Sequence, residues 1–203
     1  MKIILTFISL IFSFISYAQT GTSIKYKRES MSDQYPAQYS RFVYNDSFAF
    51  HYFYANVTDP LRKEKIFSKR MVHHSFFCNK ASNNIYNEVN YPAGNTFLIK
   101  DTLQNDQWQL SGGKKNIGGI DCISYLKITP KNDTVLVFIS KELGDGKGYG
   151  LYTGLPGTPL EIYDQEIDSH LIAVEIKKDD YSFVLPDKKI VSRKEYYERR
   201  KNK

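Results

Sequence analysis

The sequence predicts a mainly β domain, arranged as an antiparallel sheet, a sandwich or a barrel, and three observations support it. Apolar and polar side chains alternate along most segments, which is the period of a strand and not of a helix. The 16 tyrosines and 13 phenylalanines suit the half-buried surface of a pleated sheet. Candidate strands recur about every 10 residues with Gly, Asn, Asp or Pro between them, a spacing typical of antiparallel folds.

Seven segments carry the strand pattern most clearly. In one of them, residues 47–57, the side chains of Phe48, Phe50, Tyr52 and Tyr54 fall on the same face. Two others enclose a Thr-Pro-Lys-Asn-Asp turn and therefore predict a hairpin. The full set is 23–30, 47–57, 96–101, 106–110, 120–128, 134–141 and 170–178.

Two segments are candidates for helices. Residues 59–71 form either a short helix beginning at Pro60 or a loop followed by a strand. Near the C-terminus, Ser192 is a candidate N-cap, and Glu195 three residues later completes a capping box. We interpret the dense lysine and arginine cluster that follows as a solvated helix end, where cations suit the helix dipole. No nucleic-acid partner is expected.

The first 18 residues show the order of features found in a secretory signal peptide. Lys2 supplies a positive end, residues 3–15 are apolar, and residues 16–18 place small side chains at the cleavage positions. We therefore expect a signal peptide over 1–18 and a single mainly β domain over 19–203. The mature protein is expected in the periplasm, at the outer envelope or secreted. No second long apolar run follows, so no transmembrane segment is expected in the mature chain.

The two cysteines, Cys78 and Cys122, leave two alternatives open. In an oxidising compartment an even pair can close a disulfide, and the enclosed loop of about 45 residues would then contribute about 4 kcal/mol. The other alternative is a pair of buried free thiols. Neither cysteine has a second one nearby, so the spacing does not indicate a CxxC redox motif or a zinc site.

The segment from residue 148 to residue 164 reads Gly-Tyr-Gly-Leu-Tyr-Thr-Gly-Leu-Pro-Gly-Thr-Pro-Leu-Glu-Ile-Tyr-Asp. Gly154 and Gly157 bracket a Leu-Pro pair, and glycine permits the positive φ that a tight turn requires. Pro159 cannot donate a ladder hydrogen bond, which suits the start or edge of a strand. A second hairpin is predicted from here, turning at 166–169. No GK[ST] sequence follows the glycines, so a phosphate-binding loop is not indicated.

This segment resembles the signature of the GLPGLI family, exported proteins known mainly from Bacteroidetes genomes. Gly154, Leu155, Pro156 and Gly157 match the first four signature positions, whereas Thr158 and Pro159 replace two aliphatic residues. The cysteine segment 114–128 and the stretch 134–148 also resemble family segments, without their usual aromatic residues. The resemblance implies no biochemical activity. It implies a curved antiparallel sheet, as a half-barrel, a lipoprotein-carrier-like fold or an open barrel, with a short C-terminal helix.

Residues for catalysis, metal binding or a cofactor form no recognisable motif. His73 and His74 are neighbours, and on a strand they would face opposite sides. Neither GxSxG nor HExxH occurs. The protein is therefore expected to be no enzyme and to hold no metal or cofactor. A hydrolase with a carboxylate pair remains a third hypothesis, and its candidate carboxylates are Asp121, Glu142, Glu161 and Asp164.

Two hypotheses for function lead. In the first, the protein binds an apolar small molecule or an extended peptide on a curved sheet, with a pocket lined by Phe50, Tyr52, Tyr54, Trp108 and Tyr152. The Gly-Leu-Pro-Gly turn would shape the rim of that pocket or end a strand in the required direction. In the second, the protein is a structural or interaction module of the cell envelope with no ligand cavity. An envelope protein would then contact a strand edge or the basic helix.

Overall fold

The computed structural model describes most of the predicted mature domain. The predicted signal peptide and the candidate helix at 59–71 lie outside the described residues. Those residues are 19–33, 37–54, 75–90, 96–103, 106–150, 152–181, 185 and 187–201.

The described chain contains twelve strands followed by one helix. The strands are β1 (Gln19–Glu29), β2 (Gln38–Tyr44), β3 (Phe48–Tyr54), β4 (Ser75–Asn79), β5 (Asn84–Asn90), β6 (Thr96–Thr102), β7 (Gln109–Ile117), β8 (Ile120–Ile128), β9 (Thr134–Ser140), β10 (Thr158–Asp164), β11 (Ser169–Tyr181) and β12 (Lys189–Ser192). The helix is α1 (Arg193–Lys201).

All twelve strands belong to one open sheet, in the order β12-β6-β5-β4-β3-β2-β1-β11-β10-β9-β8-β7. Every neighbouring pair is antiparallel except β12 and β6, which are parallel. The mainly β, curved antiparallel architecture with a short C-terminal helix is confirmed. Both predicted hairpins are confirmed as well, β8–β9 and β10–β11. Asn132 takes a φ of 67° in the first turn, a conformation that asparagine tolerates better than most residues.

The sequence pattern missed four strands and misplaced a fifth. Strands β2, β4, β5 and β12 were not predicted. Strands β4 and β12 have only five and four residues, and β5 contains three asparagines, which are typical of loops. Nothing in the composition of β2 explains why it was missed. The strand predicted over 106–110 begins only at Gln109. Trp108, just before it, donates a hydrogen bond from Nε1 to the carbonyl oxygen of Thr153 at 2.8 Å. This contact holds Trp108 against a loop and not in the ladder.

Strand register divides the sheet into two faces with different roles. The inner face carries the core, and on β1, β2 and β3 it presents Ile24, Phe42 and Ala49, all fully buried. The outer face of the same strands presents alternate residues, among them Lys25 and Arg41. Because side chains alternate along each strand, every strand contributes to both faces.

The connection between β9 and β10 lies across the inner face. We call residues 141–157 the insertion loop; its described part is 141–150 and 152–157. Tyr149 in this loop is 0% exposed, and its ring packs on those of Tyr26, Phe42 and His51 at centroid distances of 5.2, 5.0 and 4.3 Å. The Lys80 ammonium at the end of β4 contacts the Asp145 carboxylate at 2.7 Å. The loop therefore connects the β9–β10 side of the sheet to β1 through β4.

The Gly-Leu-Pro-Gly turn forms the end of the insertion loop. Gly154 has a φ of 74°, and β10 begins at Thr158, directly after Gly157. Pro159 lies near the start of β10, beside an irregularity in its pairing with β9 and before the pairing with β11 begins. The missing N–H of Pro159 therefore does not interrupt the β10–β11 ladder.

Helix α1 begins at its predicted cap. The Glu195 backbone N–H donates to the Ser192 hydroxyl oxygen at 3.1 Å, as an N-cap requires. The Arg199 guanidinium contacts the Glu195 carboxylate at 2.7 Å across one helical turn. Arg193, the first helical residue, pairs with Asp101 of β6 at 2.5 Å and connects the helix to the sheet.

Gly157→Ala is expected to destabilise the fold by about 1–3 kcal/mol, the usual cost of overpacking. A Cβ at this position would lie 2.6 Å from the Ser140 carbonyl oxygen, which is fixed in β9. The matched control is Gly113→Ala, whose Cβ would meet the Ser124 hydroxyl at 2.6 Å, a side chain that can rotate away. Thermal unfolding should show a clearly larger loss of melting temperature for Gly157→Ala. Equal losses would contradict a role for close backbone packing at this turn.

Candidate ligand-binding cavity

A cavity of about 920 Å³ lies on the inner face, between the sheet and the insertion loop. This volume falls in the range of about 300–1,000 Å³ that small-molecule sites occupy. The lining combines apolar and aromatic side chains with a few polar ones. It consists of Arg28, Gln38, His51, Phe53, Phe76, Ile85, Asn87, Asp101, Thr102, Leu103, Gly150, Tyr152, Thr153, Ile167, Leu171 and Arg193.

The floor of the cavity is a row of cross-strand neighbours. Phe42 of β2 lies opposite His51 of β3, His51 lies opposite Phe76 of β4, and Phe76 lies opposite Asn87 of β5. These residues share one face of the sheet because directly paired residues in an antiparallel ladder point to the same side. In this row Phe76 is therefore flanked by two polar side chains, His51 and Asn87.

His51 is 1% exposed and surrounded by rings. Its imidazole stacks on Tyr149 at 4.3 Å and lies 4.6 Å from the Phe53 ring. Both of its ring nitrogens are shielded from water and have no hydrogen-bond partner. Burial lowers the pKa of His51 to about 3, because an apolar environment disfavours the imidazolium. His51 is therefore neutral at physiological pH.

Asn87, two strands away from His51, also has a buried polar atom without a hydrogen-bond partner. Its Oδ1 atom is shielded from water and has no hydrogen-bond partner. A buried polar atom without a partner costs about 1–3 kcal/mol, so native proteins seldom retain one. The cavity floor thus contains two polar groups whose hydrogen-bonding capacity is unused.

The insertion loop forms the wall opposite the floor. Tyr152 lines the cavity, and its hydroxyl donates to the Asp164 carboxylate at 2.8 Å, which fixes the ring. Burial, followed by the nearby Asp164 charge, raises the pKa of Tyr152 well above its ordinary value. Gly150 approaches so closely that a Cβ would lie 2.7 Å from His51 Nδ1, and its φ of 40° is in the left-handed region. A larger residue would separate loop from floor.

Two arginines mark the polar parts of the cavity lining. The Arg28 guanidinium donates from Nε to the Ser169 hydroxyl at 2.8 Å and from Nη1 to Gln38 Oε1 at 3.5 Å. Arg193 lines the cavity together with its ion-pair partner Asp101. Both guanidinium groups are therefore held in position by neighbours from other strands or turns.

Of the site residues predicted from the sequence, the structure places some at the cavity and others on the outer face. Tyr152 lines the cavity as expected, and Trp108 supports its wall through the hydrogen bond to Thr153. Phe50 and Tyr52 lie on the outer face, with ring centroids 5.1 Å apart, so the β3 face predicted to form the pocket is not the one that does. The side chain of Tyr54 lies outside the described residues.

The prediction of which β3 face lines the pocket was wrong for a simple reason. Both of its faces are aromatic or apolar, since Ala49, His51 and Phe53 alternate with the predicted set. Alternation alone therefore cannot tell which face is inner. In the sequence, His51 and Asn87 are isolated polar residues with no motif around them, so nothing identifies them as site residues. Only the strand register, which places them in one row, does so.

Cys78 and Cys122 are both free thiols and both buried, so the disulfide alternative does not hold in this structure. Cys78 lies opposite Ala49 on the inner face. Cys122, on β8, is two residues from Ser124, which pairs with Phe138 on the outer face. Burial raises the pKa of each thiol to about 11, which disfavours the reactive thiolate.

The carboxylates of the hydrolase hypothesis point to different faces. Asp164 faces inward, towards Tyr152. Glu161 faces outward, where Lys115 Nζ, the Tyr163 hydroxyl and His170 Nε2 contact its carboxylate at 2.5, 2.8 and 3.0 Å. Burial raises the pKa of Glu161, but these hydrogen bonds outweigh it and hold the pKa below its usual range. Glu161 therefore links three strands as an anion.

The described residues contain neither a metal-binding cluster nor a membrane-spanning helix. Among the histidines, cysteines and carboxylates that the structure describes, no group of three or more is placed to hold a metal ion. In the same part of the chain, no helix has the length and apolar character needed to cross a membrane.

Comparison with known proteins shows a shared fold. The chain matches no protein-family model and no curated protein. Two structures of PNGF-II, in space groups C2 and P21, superpose with a TM-score of 0.65 at 15% and 14% identity over 89% of this chain. The chain spans only about one third of the PNGF-II length, 32% and 33% in the two structures. The likeness therefore shows the fold alone.

An uncharacterized conserved protein from Thermus thermophilus is also similar, at 12% identity and a TM-score of 0.47. The match covers 93% of this chain and 99% of that one. None of the three comparisons bears on the resemblance to the GLPGLI family, which stays a prediction.

Acidification is expected to destabilise the protein through His51. Below about pH 6.5 the unfolded chain binds a proton at this residue, whereas the folded protein does so only near pH 3. Stability is therefore lost as the pH falls through this window, by about 2 kcal/mol between pH 7 and pH 5. Urea unfolding at several pH values should show this loss in the wild type and about 2 kcal/mol less of it in His51→Phe. Parallel pH profiles for the two proteins would refute the assignment.

Proposed function

We propose that the protein is an exported, non-enzymatic protein of the cell envelope that binds an apolar small molecule on the inner face of its sheet. The observation that carries this proposal is the cavity of about 920 Å³ between the sheet and the insertion loop. Its volume lies in the range of small-molecule sites, and its lining includes rings and branched side chains on the face that carries the core.

The chemistry of the lining supports an apolar ligand. Phe53, Phe76, Ile85, Leu103 and Leu171 present rings and branched chains to the cavity. Removing apolar surface from water on binding contributes about 25 cal/mol for each Å². A ligand of drug-like size that fits this cavity would therefore gain most of its affinity from burial.

Export and the lack of catalysis rest on the sequence. The order of charge, apolar run and small residues over 1–18 supports export. The resemblance of 154–157 to the GLPGLI signature supports an envelope protein without an assigned activity.

The second candidate is a protein-interaction module, and strand β7 favours it. This strand is at an edge of the sheet, and its residues from Gln109 to Asn116 are exposed. An extended segment of an envelope protein could add a strand to this edge. Two features of β7 oppose the addition of another strand at this edge. Its pairing with β8 is irregular between Leu110 and Lys114, and it carries two consecutive lysines, Lys114 and Lys115. Bulges and charges both protect sheet edges from pairing.

The cavity is tested by filling it. Ile85 of β5 faces the cavity, and its chain neighbour Tyr86 faces outward, where it contacts the Phe77 ring. We expect Ile85→Trp to occupy the cavity and to weaken ligand binding at least about tenfold, while Tyr86→Trp leaves binding unchanged. The probes are biphenyl, its para,para-dihydroxy derivative and dodecanoate, titrated by calorimetry and followed by melting temperature.

The wild type is expected to saturate at one equivalent with at least one probe, and bound probe should raise its melting temperature. Both variants should fold, as judged by their own thermal transitions. Binding that survives Ile85→Trp, or saturation by none of the three probes, would contradict the proposed function.

A further inference from the structure

The cavity floor contains hydrogen-bonding atoms that a purely apolar ligand would leave without partners. Both nitrogens of His51 and the Oδ1 of Asn87 lack hydrogen-bond partners, and both residues line the cavity. An acyl chain would leave all three atoms unsatisfied and would keep the cost of their burial. The ligand that best fits this floor therefore carries hydrogen-bonding groups of its own.

Register fixes how far apart those groups lie. His51 on β3 and Asn87 on β5 are two strands apart in the same cross-strand row, with Phe76 between them. Strands are spaced about 4.8 Å apart, so the two polar side chains are about 10 Å apart across the row. A ligand that satisfies both must reach this distance over the ring of Phe76.

The aromatic lining favours a planar aromatic body for the molecule. Phe53, Phe76 and Tyr152 each present a ring to the cavity, and rings stack or meet edge to face at small additional gain. The orphaned atoms are turned away from water, so binding has to rotate the imidazole or the amide towards the ligand. The amide of Asn87 is half-buried and its terminal torsion is broad, so it can turn. The imidazole of His51 is enclosed by rings, so its rotation requires the rings of Tyr149 and Phe53 to shift with it.

The charges of the lining restrict the polar groups. Among the lining residues Arg28 and Arg193 are cationic and Asp101 is anionic, so a cationic ligand is disfavoured. Asn87 Oδ1 accepts, so the ligand end near it must donate. Neutral His51 can either donate or accept, depending on its tautomer. Hydroxyl groups meet all of these conditions.

We propose that the cavity binds a planar aromatic molecule with a hydroxyl-type group at each end, placed over Phe76 with its ends at His51 and Asn87. This inference rests on the proposed function, because it names the ligand class of the same cavity. It differs from that function in one respect: it requires the polar ends to be recognised, and not only the apolar body to be buried.

The test compares biphenyl with its para,para-dihydroxy derivative, which has the same body and a hydroxyl at each end. Calorimetric titration should show that the wild type prefers the dihydroxy probe by about a hundredfold, since the probe makes two hydrogen bonds and each is worth about tenfold in a buried site. His51→Phe and Asn87→Leu should each reduce the preference by about tenfold while keeping affinity for biphenyl. Tyr86→Phe, which removes a hydroxyl on the outer face, is the matched control and should leave the preference unchanged.

Folding of the variants is checked by an independent readout. Each substitution removes an unsatisfied buried polar group, so His51→Phe and Asn87→Leu should keep or raise the melting temperature of the unliganded protein. If one variant fails to fold, the other still decides, because the two polar ends are tested separately.

The outcomes separate this inference from the proposed function. If both probes bind wild type equally, or if the preference survives in both folded variants, polar recognition at His51 and Asn87 is refuted while the cavity function stands. If neither biphenyl probe binds but dodecanoate does, the aromatic ligand class is overturned. If none of the three probes binds, both proposals fail together.

Discussion

The burial of Tyr149 on the inner face is the contact on which the rest of the structure depends. Tyr149 fills the space between the rings of Tyr26, Phe42 and His51 on β1, β2 and β3. Because its loop joins β9 to β10, this contact connects the two halves of the twelve-stranded open sheet. Two tyrosine hydroxyls add to this contact. Tyr44 donates to the Leu143 carbonyl of the loop at 2.7 Å, and Tyr26 donates to the Pro159 carbonyl at the start of β10 at 2.5 Å. Without these contacts the inner face would expose its apolar surface to water.

The same arrangement explains why a cavity remains beside the core. The insertion loop covers the inner face of β1 to β4, and its residues Gly150, Tyr152 and Thr153 line the cavity together with residues of β5 and β6. Gly150 brings the loop backbone against His51 and excludes water from the imidazole without giving it a partner. A ligand bound in the cavity would supply the partner that this imidazole lacks.

The sequence predicted the architecture better than the site. Alternation and aromatic content were sufficient for the fold class, and the turn residues around Asn132 were sufficient for one hairpin. The site depends on which face of β3 turns inward, and this is set by Phe42 and Tyr149 from elsewhere in the chain. No local pattern contains that information, so Phe50 and Tyr52 were chosen where His51 and Phe53 line the cavity. The row of His51 and Asn87 likewise appears only once strand register is known.

Native mass spectrometry of the protein isolated from the cells that produce it, with organic extraction of the same sample, tests the central claim most directly. We expect a one-to-one complex heavier than the bare chain and an extracted molecule that absorbs in the ultraviolet, as an aromatic ligand must. Gentle desolvation followed by collisional activation should release that molecule and leave the mass of the polypeptide. A protein that carries no small molecule when isolated at neutral pH, and whose extract contains none, would contradict the claim that the inner-face cavity is a ligand site.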